Sequence, residues 1–573
     1  MLLRCVHAAV CAGVGVATIA VSATGHAQIA APSQLTPQSL RPAAPPNAPR
    51  VVLPGSSDIT APNGNSGLTV LVADVQLEGQ FPELFALTEP VIGSLRNRTV
   101  SVAQIYSAAA ELERIYAAAG YVLVRIVVPP QNLVDHGRLS LVVVDGFIEA
   151  VDVAALPEKV RVAVAGRVGG LVGRRHLRLT EIERALLVAG EIPGLSLRST
   201  LARGEREGGV RLILDGEHRL VSVSAGADDR LPGSLGTWQL RGTVALNSAF
   251  GAGEQIYGTA GIGPDRNAAI GGSSPLAIYG AGAIIPIGVD GLTLNPEYTR
   301  STTRTAQAPG VPASTGVFER YALRLREPIS LTRKASLFFN FSLEDIDQRM
   351  IAPDFGTSLN HDHYAVLRTG PDLTSTLSWG AGLQVGALLS QGLGGRGAID
   401  AAASGIPLSR LGAGPDFTKL GGTAHIAQPL PAGFRVDLIA AAQTSFNKPM
   451  LRPEQIVLDG SDALSAFASG TFSADQGVTL RSELSRPFAL NAASATLSPY
   501  LFGAVGRGWL ANATRLEQAS FYAGSAGLGV RGNVEAAANR PGGSLALEVA
   551  RGFTDLAGVR QGWRANVIAS VVY

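Results

Sequence analysis

Cysteine is almost missing from this 573-residue chain: only Cys5 and Cys11 occur, both in the first apolar stretch. Once that stretch is removed, no disulfide framework, cysteine metal site or cysteine nucleophile is available. Charge is scarce as well. Charged residues make up 16% of the chain, against ~25% in ordinary soluble domains, while 46% are hydrophobic. The net charge is only +2, and no Lys/Arg stripe is interleaved with aromatics. That balance points to a membrane protein and away from nucleic acid as a partner. Yet past the N-terminus there is no run of ~20 apolar residues that could cross a bilayer as a helix. A chain of this composition that crosses a membrane must then do so as a closed β-barrel, because only helices and barrels satisfy every backbone group inside lipid.

What is present begins with residues 1–27, where Arg4 precedes an apolar middle and small residues Gly25 and Ala27 precede Gln28. This reads as a secretory signal peptide. Cys11 lies within the apolar run without a leucine three residues before it, so it is not read as a lipid acceptor. Residues 28–67 are rich in Pro, Ala, Ser and Asn and lack a period, which predicts an extended, mobile segment that forms a short helix only if it docks.

From Leu68 the pattern becomes compact α/β. TVLVADVQLEG alternates as a strand, and Ile105, Ala109, Leu112 and Tyr116 recur at helical spacing up to Gly120. YVLVRIVVPP and GRLSLVVVDGFIEAVDV follow as strands. The same order repeats, giving one module over 68–146 and a second over 147–218. A tandem array of this kind presents strand edges to a partner. The candidate capture edges are Tyr121, Val122, Leu123, Val124, Leu139, Leu141 and Val143 in the first module and Val210 and Leu212 in the second.

Residues 219–573 lose helical periodicity. About sixteen alternating segments stand near 219, 236, 253, 275, 290, 317, 334, 363, 373, 416, 433, 477, 495, 519, 543 and 561, the pattern of a transmembrane β-barrel. In SLFFNFSLE, Leu337, Phe339, Phe341 and Leu343 share one face and Ser336, Asn340, Ser342 and Glu344 the other. The terminal GWRANVIASVVY separates a barrel from a soluble sandwich. Ten residues at ~3.3 Å each, tilted ~40°, rise roughly 25 Å, which places Trp563 and Tyr573 at opposite interfaces of a lipid band. The polar face then lines a lumen: Arg324, Arg326, Glu344, Arg481, Glu483 and Arg564 either shape a pore field or pair across strands, and both readings stand.

Several stretches together carry a resemblance: LTEIERALLVAGEIPGLSLRSTLARGEREGGVRLIL, LLSQGL, DFTKLGG, QTSFNKPMLRPEQIVLDG and DQGVTLRSEL. With the signal peptide, the Pro-rich segment, two POTRA-type modules and a sixteen-strand barrel, the chain resembles the two-partner secretion outer-membrane translocators of the haemolysin secretion/activation family. The resemblance implies periplasmic modules that capture a large unfolded exoprotein of the haemagglutinin or haemolysin kind, outer-membrane lipid around the barrel, barrel assembly machinery for its own insertion, and no cofactor. It also implies that a long extracellular loop folds back into the lumen and is fastened by an Arg–Asp pair. Here the turn ends at Gly460 and the tetrad reads Leu464, Ser465, Ala466 and Phe467, so Ser465 stands where the Arg is expected and Ala504 where the Asp is expected. Losing both partners leaves no unpaired charge in a confined lumen. The expectation is a loop still inside the barrel, held by neutral contacts around Phe467. An assembly factor that inserts other barrels shares this architecture and is the alternative, with a passive porin behind it.

Other chemistry is poorly supported. His361 and His363 in LNHDHY lack a spaced third ligand, SQGLGGRGA lacks the Lys-Ser/Thr of a phosphate loop, and no catalytic constellation is apparent, so neither metal nor enzymatic activity is expected.

Overall fold

The computed structural model describes residues 31–42, 50–52, 68–264, 274–307, 313–394, 405–490, 494–515, 517–536 and 540–573; the expected signal peptide lies outside them. The first elements are a one-turn helix α1 (Pro32–Leu35) and a short strand β1 (Arg50–Val52).

The first module comprises β2 (Thr69–Glu78), α2 (Phe85–Leu95), β3 (Arg98–Ser101), α3 (Val102–Ala118), β4 (Arg125–Val127) and β5 (Gly137–Val144). Helix α3 starts where the Ser101 hydroxyl accepts from the Gln104 N–H and the Gln104 side chain accepts from the Ser101 N–H, a reciprocal cap that satisfies two otherwise orphan donors. Its predicted stripe is the buried one: Ile105, Ala109, Leu112 and Tyr116 all pack into the module core. The second module repeats the plan with β6 (Phe147–Asp152), α4 (Glu158–Val168), α5 (Leu179–Gly190), β7 (Leu195–Arg203) and β8 (Gly209–His218).

Sheet order corrects the expected capture edges. The first sheet runs β3-β2-β5-β4, so Leu139, Leu141 and Val143 on β5 lie in an interior strand. Only Arg125–Val127 of the expected 121–130 strand is extended; Tyr121, Leu123 and Val124 are buried in the turn before it, and Val122 packs against the second module's core. The second sheet runs β1-β7-β8-β6, so Val210 and Leu212 on β8 are interior too. Both edges of each of these strands are paired, and one face of each packs into its module core, which is why they read as the most strand-like runs.

The remainder closes into an antiparallel barrel of sixteen described strands, counting Gln476–Ser485 and Phe488–Leu490 as one interrupted strand. The final strand Gly562–Val572 pairs with the first, Val221–Asp228, from Ile568 opposite Asp228 to Val572 opposite Ser224. Fourteen of the sixteen expected positions fall within three residues of a strand start; 363 and 373 both fall in Thr357–Thr376, and none falls at the strand Gly382–Gly392. Thr357–Thr376 is 20 residues long, about twice the ~9–11 that a bilayer needs, so one strand gave two signals.

The faces divide as alternation requires. Phe339, Phe341 and Leu343 are exposed on the outside of the barrel, while Ser342 and Glu344 are buried inside. Trp563 and Tyr573 are both exposed, at opposite ends of the last strand. The second module sits at the mouth where the chain enters: Arg184 donates to the Pro328 carbonyl at 3.0 Å, and Glu191 pairs with Arg326 at 3.4 Å.

Candidate functional site

Two pieces of the chain itself occupy the lumen. The first is residues 31–42. Leu35 packs among Leu231, Leu235, Leu276 and Ile278, and Leu40 among Ala245, Tyr257 and Ile284, all on the barrel wall or its adjoining loops. The wall leaves room for it through glycine. A Cβ on Gly280 would meet Leu40 at 2.2 Å, and one on Gly316 would meet Pro32 at 2.7 Å. Beyond its one helical turn the segment is extended, and wall cations bond its carbonyls: Arg320 donates to the Pro37 carbonyl at 2.9 Å and Arg324 to that of Gln38 at 2.8 Å. Glu297 accepts from the Leu40 N–H at 2.9 Å, the Ser39 hydroxyl at 3.1 Å and the Tyr257 hydroxyl at 2.9 Å. Part of the Pro-rich segment is thus a docked plug bearing a short helix.

The second occupant is the loop 445–475 between strands Arg435–Thr444 and Gln476–Ser485. Met450 and Leu451 pack with Phe318, Ile346, Tyr364 and Phe417. A two-residue hairpin, Ile456–Val457 with Ser473–Ala474, carries a tip fastened by Asp459, whose carboxylate accepts from the Gly470 and Phe472 N–H groups, both at 2.9 Å. Gly460, at φ +139°, turns the chain there. Leu464, Ser465, Ala466 and Phe467 are all buried. Phe467 meets Phe472 edge-on at 4.7 Å, and both belong to a cluster with Tyr500, Phe502, Ala504 and Phe521.

The tip contact is more than the neutral one expected. Arg481, 1% exposed and directly opposite Ala504 in the ladder, donates to the Ser465 hydroxyl at 2.9 Å. Its charge is balanced by Glu483 and Glu548, each at 2.7 Å, and its guanidinium lies 3.7 Å from the Phe502 ring centroid. Asn566 reaches the Ser465 carbonyl at 2.9 Å and Ser525 accepts from the Ala466 N–H at 3.2 Å. Where the resemblance expects the cation on the loop, it stands on the wall. The tip also partitions the lumen. Ser465, Arg481 and Glu548 border a cavity of about 320 Å³, whereas Ala466, Phe467 and Trp563 border another of about 1090 Å³.

A row of wall charges runs between the two occupants. Arg324 pairs with Glu297 at 3.0 Å and with Glu344 at 3.2 Å; Arg368 pairs with Glu344 at 3.1 Å and with Glu454 of the loop at 2.7 Å. Lys419 completes the Glu454 clamp at 2.8 Å, and Tyr364 donates to the same carboxylate at 2.8 Å. Of the expected lumen residues, Arg324, Glu344, Arg481 and Glu483 thus pair with wall partners. Arg326 lies at the module end over the Phe338 ring, and Arg564 bonds Asn566 and the Asp229 carbonyl near the other end. Glu297, Arg320 and Arg368 were not anticipated, and a polar residue on an inward parity was their only signal. Lys419 and Glu454 stand in the conspicuous stretches DFTKLGG and LRPEQIVLDG, which meet here as one ion pair. His361 and His363 sit beside Asp347 and Asp345 at 3.1 and 3.3 Å, on the strand parity opposite to lumen-facing Tyr364.

Comparison with known proteins agrees with this architecture. Residues 210–532 match the family described as haemolysin secretion/activation protein ShlB/FhaC/HecB, and residues 70–146 match the POTRA domain, ShlB-type. The hemolysin transporter protein ShlB of Serratia marcescens is 24% identical over 434 residues, 73% of this chain and 72% of that protein. Among solved structures, CdiB from Escherichia coli aligns with a TM-score of 0.67 at 18% identity over 95% of this chain and 94% of its own, and CdiB from Acinetobacter baumannii with 0.59 at 16% over 91% and 93%. BamA from Haemophilus ducreyi, lacking its POTRA domains 1–3, shares the fold at a TM-score of 0.50 and 11% identity, over 88% of this chain and all of its own. The chain belongs to the haemolysin secretion/activation family: it is a two-partner secretion translocator of the outer membrane, with a β-barrel as its pore.

Proposed function

We propose that the two modules capture one large haemolysin-like exoprotein as an added strand, and that the barrel passes it outward once plug and loop yield. The observation that carries the capture step is β1. It lies parallel on the outer edge of β7, Arg50 opposite Arg198 and Val52 opposite Thr200, so this edge accepts an extended segment of the chain itself. Strand addition supplies main-chain hydrogen bonds whatever the passenger's sequence. A passenger docking there competes with β1, which lowers its apparent affinity by the fraction of free edges. Val51→Pro removes a backbone donor from the competitor. Passenger binding to the detergent-solubilised chain is expected to tighten several-fold, within the ~5–150-fold range of typical coupling; binding that weakens or stays constant would remove β7 as the docking edge.

The apolar band bearing Leu323, Phe341 and Leu480 contacts outer-membrane lipid, and the chain reaches the membrane through the barrel assembly machinery. The name of the Serratia relative supports a haemolysin-like passenger. The BamA likeness concerns the fold alone. Deleting the gene should remove one exoprotein from the medium and leave other outer-membrane barrels at their usual levels; a joint fall of many barrels would favour an insertase.

A further inference from the structure

We propose that Glu344 is a positioning residue that couples the plug to the inward loop, so that withdrawal of one loosens the other. The argument rests on continuity. Glu297, Arg324, Glu344 and Arg368 lie on four consecutive strands, Leu292–Thr305, Ser314–Leu331, Ala335–Ala352 and Thr357–Thr376, and their charges alternate in sign. The row begins on plug backbone, through Glu297 to the Leu40 N–H, and ends on the loop, through Arg368 to Glu454. Ladder register holds it in line: Arg324 faces Ser342, Ser342 faces Arg368, Arg368 faces Ser390, and Ser390 faces Lys419. Every member is nearly out of solvent, the side chains being 0% (Glu297), 17% (Arg324), 6% (Glu344), 13% (Arg368) and 0% (Glu454) exposed.

Burial makes the row cooperative. Each carboxylate is shared by two cations, and a buried charge that loses a partner has no water to replace it. If the plug leaves, Arg324 loses the Gln38 carbonyl and Glu297 loses the Leu40 and Ser39 donors. Arg324 then draws on Glu344, whose other partner, Arg368, holds the loop. Among the described residues, Glu344 is the one member of the row with no hydrogen bond or ion pair to either occupant. Without it Arg324 keeps Glu297 and Arg368 keeps Glu454, so both local anchors survive while the link between them is cut. The plug helix also packs directly on the loop segment Arg452–Glu454, which supplies a rival route.

The test uses the full chain purified in detergent, with Ala466→Cys as a buried reporter at the loop tip. Cysteine otherwise occurs only at Cys5 and Cys11. A maleimide probe reads how often the tip leaves its seat. Leu35→Asp with Leu40→Asp evicts the plug from its two apolar seats. We expect eviction to speed labelling at least ~5-fold, the lower end of typical coupling between sites, and Glu344→Gln to reduce that factor to below ~2-fold. An equal acceleration with and without Glu344 would assign the coupling to direct packing and overturn the proposal, as would no acceleration at all. Should Glu344→Gln fail to give a heat-modifiable barrel, Glu344→Asp keeps the buried negative charge but, one methylene shorter, cannot reach both Arg324 and Arg368, and carries the same expectation. No passenger enters the measurement, so its failure and a failure of capture at β7 are separable.

Discussion

The plug and the inward loop fill the same lumen but are held by different means. Wall side chains grip the plug mainly by its backbone, at the carbonyls of Pro37 and Gln38 and the N–H of Leu40, with two leucines as knobs. The loop is gripped mainly through its own side chains, with backbone bonds at Glu454, Ser465 and Ala466 added. Glu454 is clamped by Arg368, Lys419 and Tyr364, Asp475 pairs with Arg410 and accepts from the Met450 N–H, and Phe467 and Phe472 fill an apolar cluster. A backbone grip tolerates sequence change and can be undone residue by residue, whereas a loop wedged by buried ions and rings leaves as a unit or not at all. On this contrast, the plug is expected to loosen before the loop does.

The contrast can be broken most severely at Glu454. Glu454→Ala leaves Arg368 and Lys419 buried together without their shared carboxylate, and loss of one partner of a buried pair costs ~3–5 kcal/mol. A large rise in Ala466→Cys labelling and a lower temperature of heat-modifiable migration are expected; unchanged values would mean that the clamp does not hold the loop. Phe467→Ala empties part of the tip cluster, where Phe truncations cost ~3–5 kcal/mol when the cavity cannot collapse. Because the cavity beyond the tip offers room to relax, the lower end applies, and steady conductance in planar bilayers should rise.

Leu40→Ala should loosen the plug by ~2–3 kcal/mol. Proteolysis of the plug segment should accelerate while loop labelling rises by a smaller factor; equal effects on both would erase the distinction between the two grips. The smallest effect lies in the first module, away from the lumen. Burial raises the Glu113 carboxyl above its ordinary value, against the opposing bond from the Ile126 N–H. The neutral form is favoured in the fold, so this group's contribution to stability is complete below the ordinary carboxylate value and is lost as pH rises through the raised one. Hydrogen-exchange protection of the core amides of Leu139 and Leu141, corrected for intrinsic rates, should fall across that window and become flat in Glu113→Gln.

Much of the barrel was readable because its rule is local. Alternation at period two separates Phe339, Phe341 and Leu343 from Ser342 and Glu344 without knowledge of any neighbour. The same reasoning failed for the capture edges. Whether β5 or β8 lies at a rim depends on which strands flank it, and the runs most like strands proved the most enclosed. The loop lock shows the boundary well. The absence of Arg at Ser465 and of Asp at Ala504 could be read directly, but its compensation could not. Alternation puts Arg481 on the lumen face, yet its link to Ser465 follows from ladder register and from the loop's path inside the barrel.

By itself, then, the order of residues determined the division into two α/β modules and a membrane barrel, the outward face of strands such as Ala335–Ala352, and the family. Period, composition and turn residues act over a few positions, and these properties need nothing more. Tertiary structure alone decided which charges are partners, because a closed barrel brings Glu297, Glu344, Arg368 and Glu454 within ion-pair reach from separate strands and a loop. It also decided that part of the Pro-rich segment is a plug, since a stretch without a hydrophobic period takes its shape from the wall that grips it.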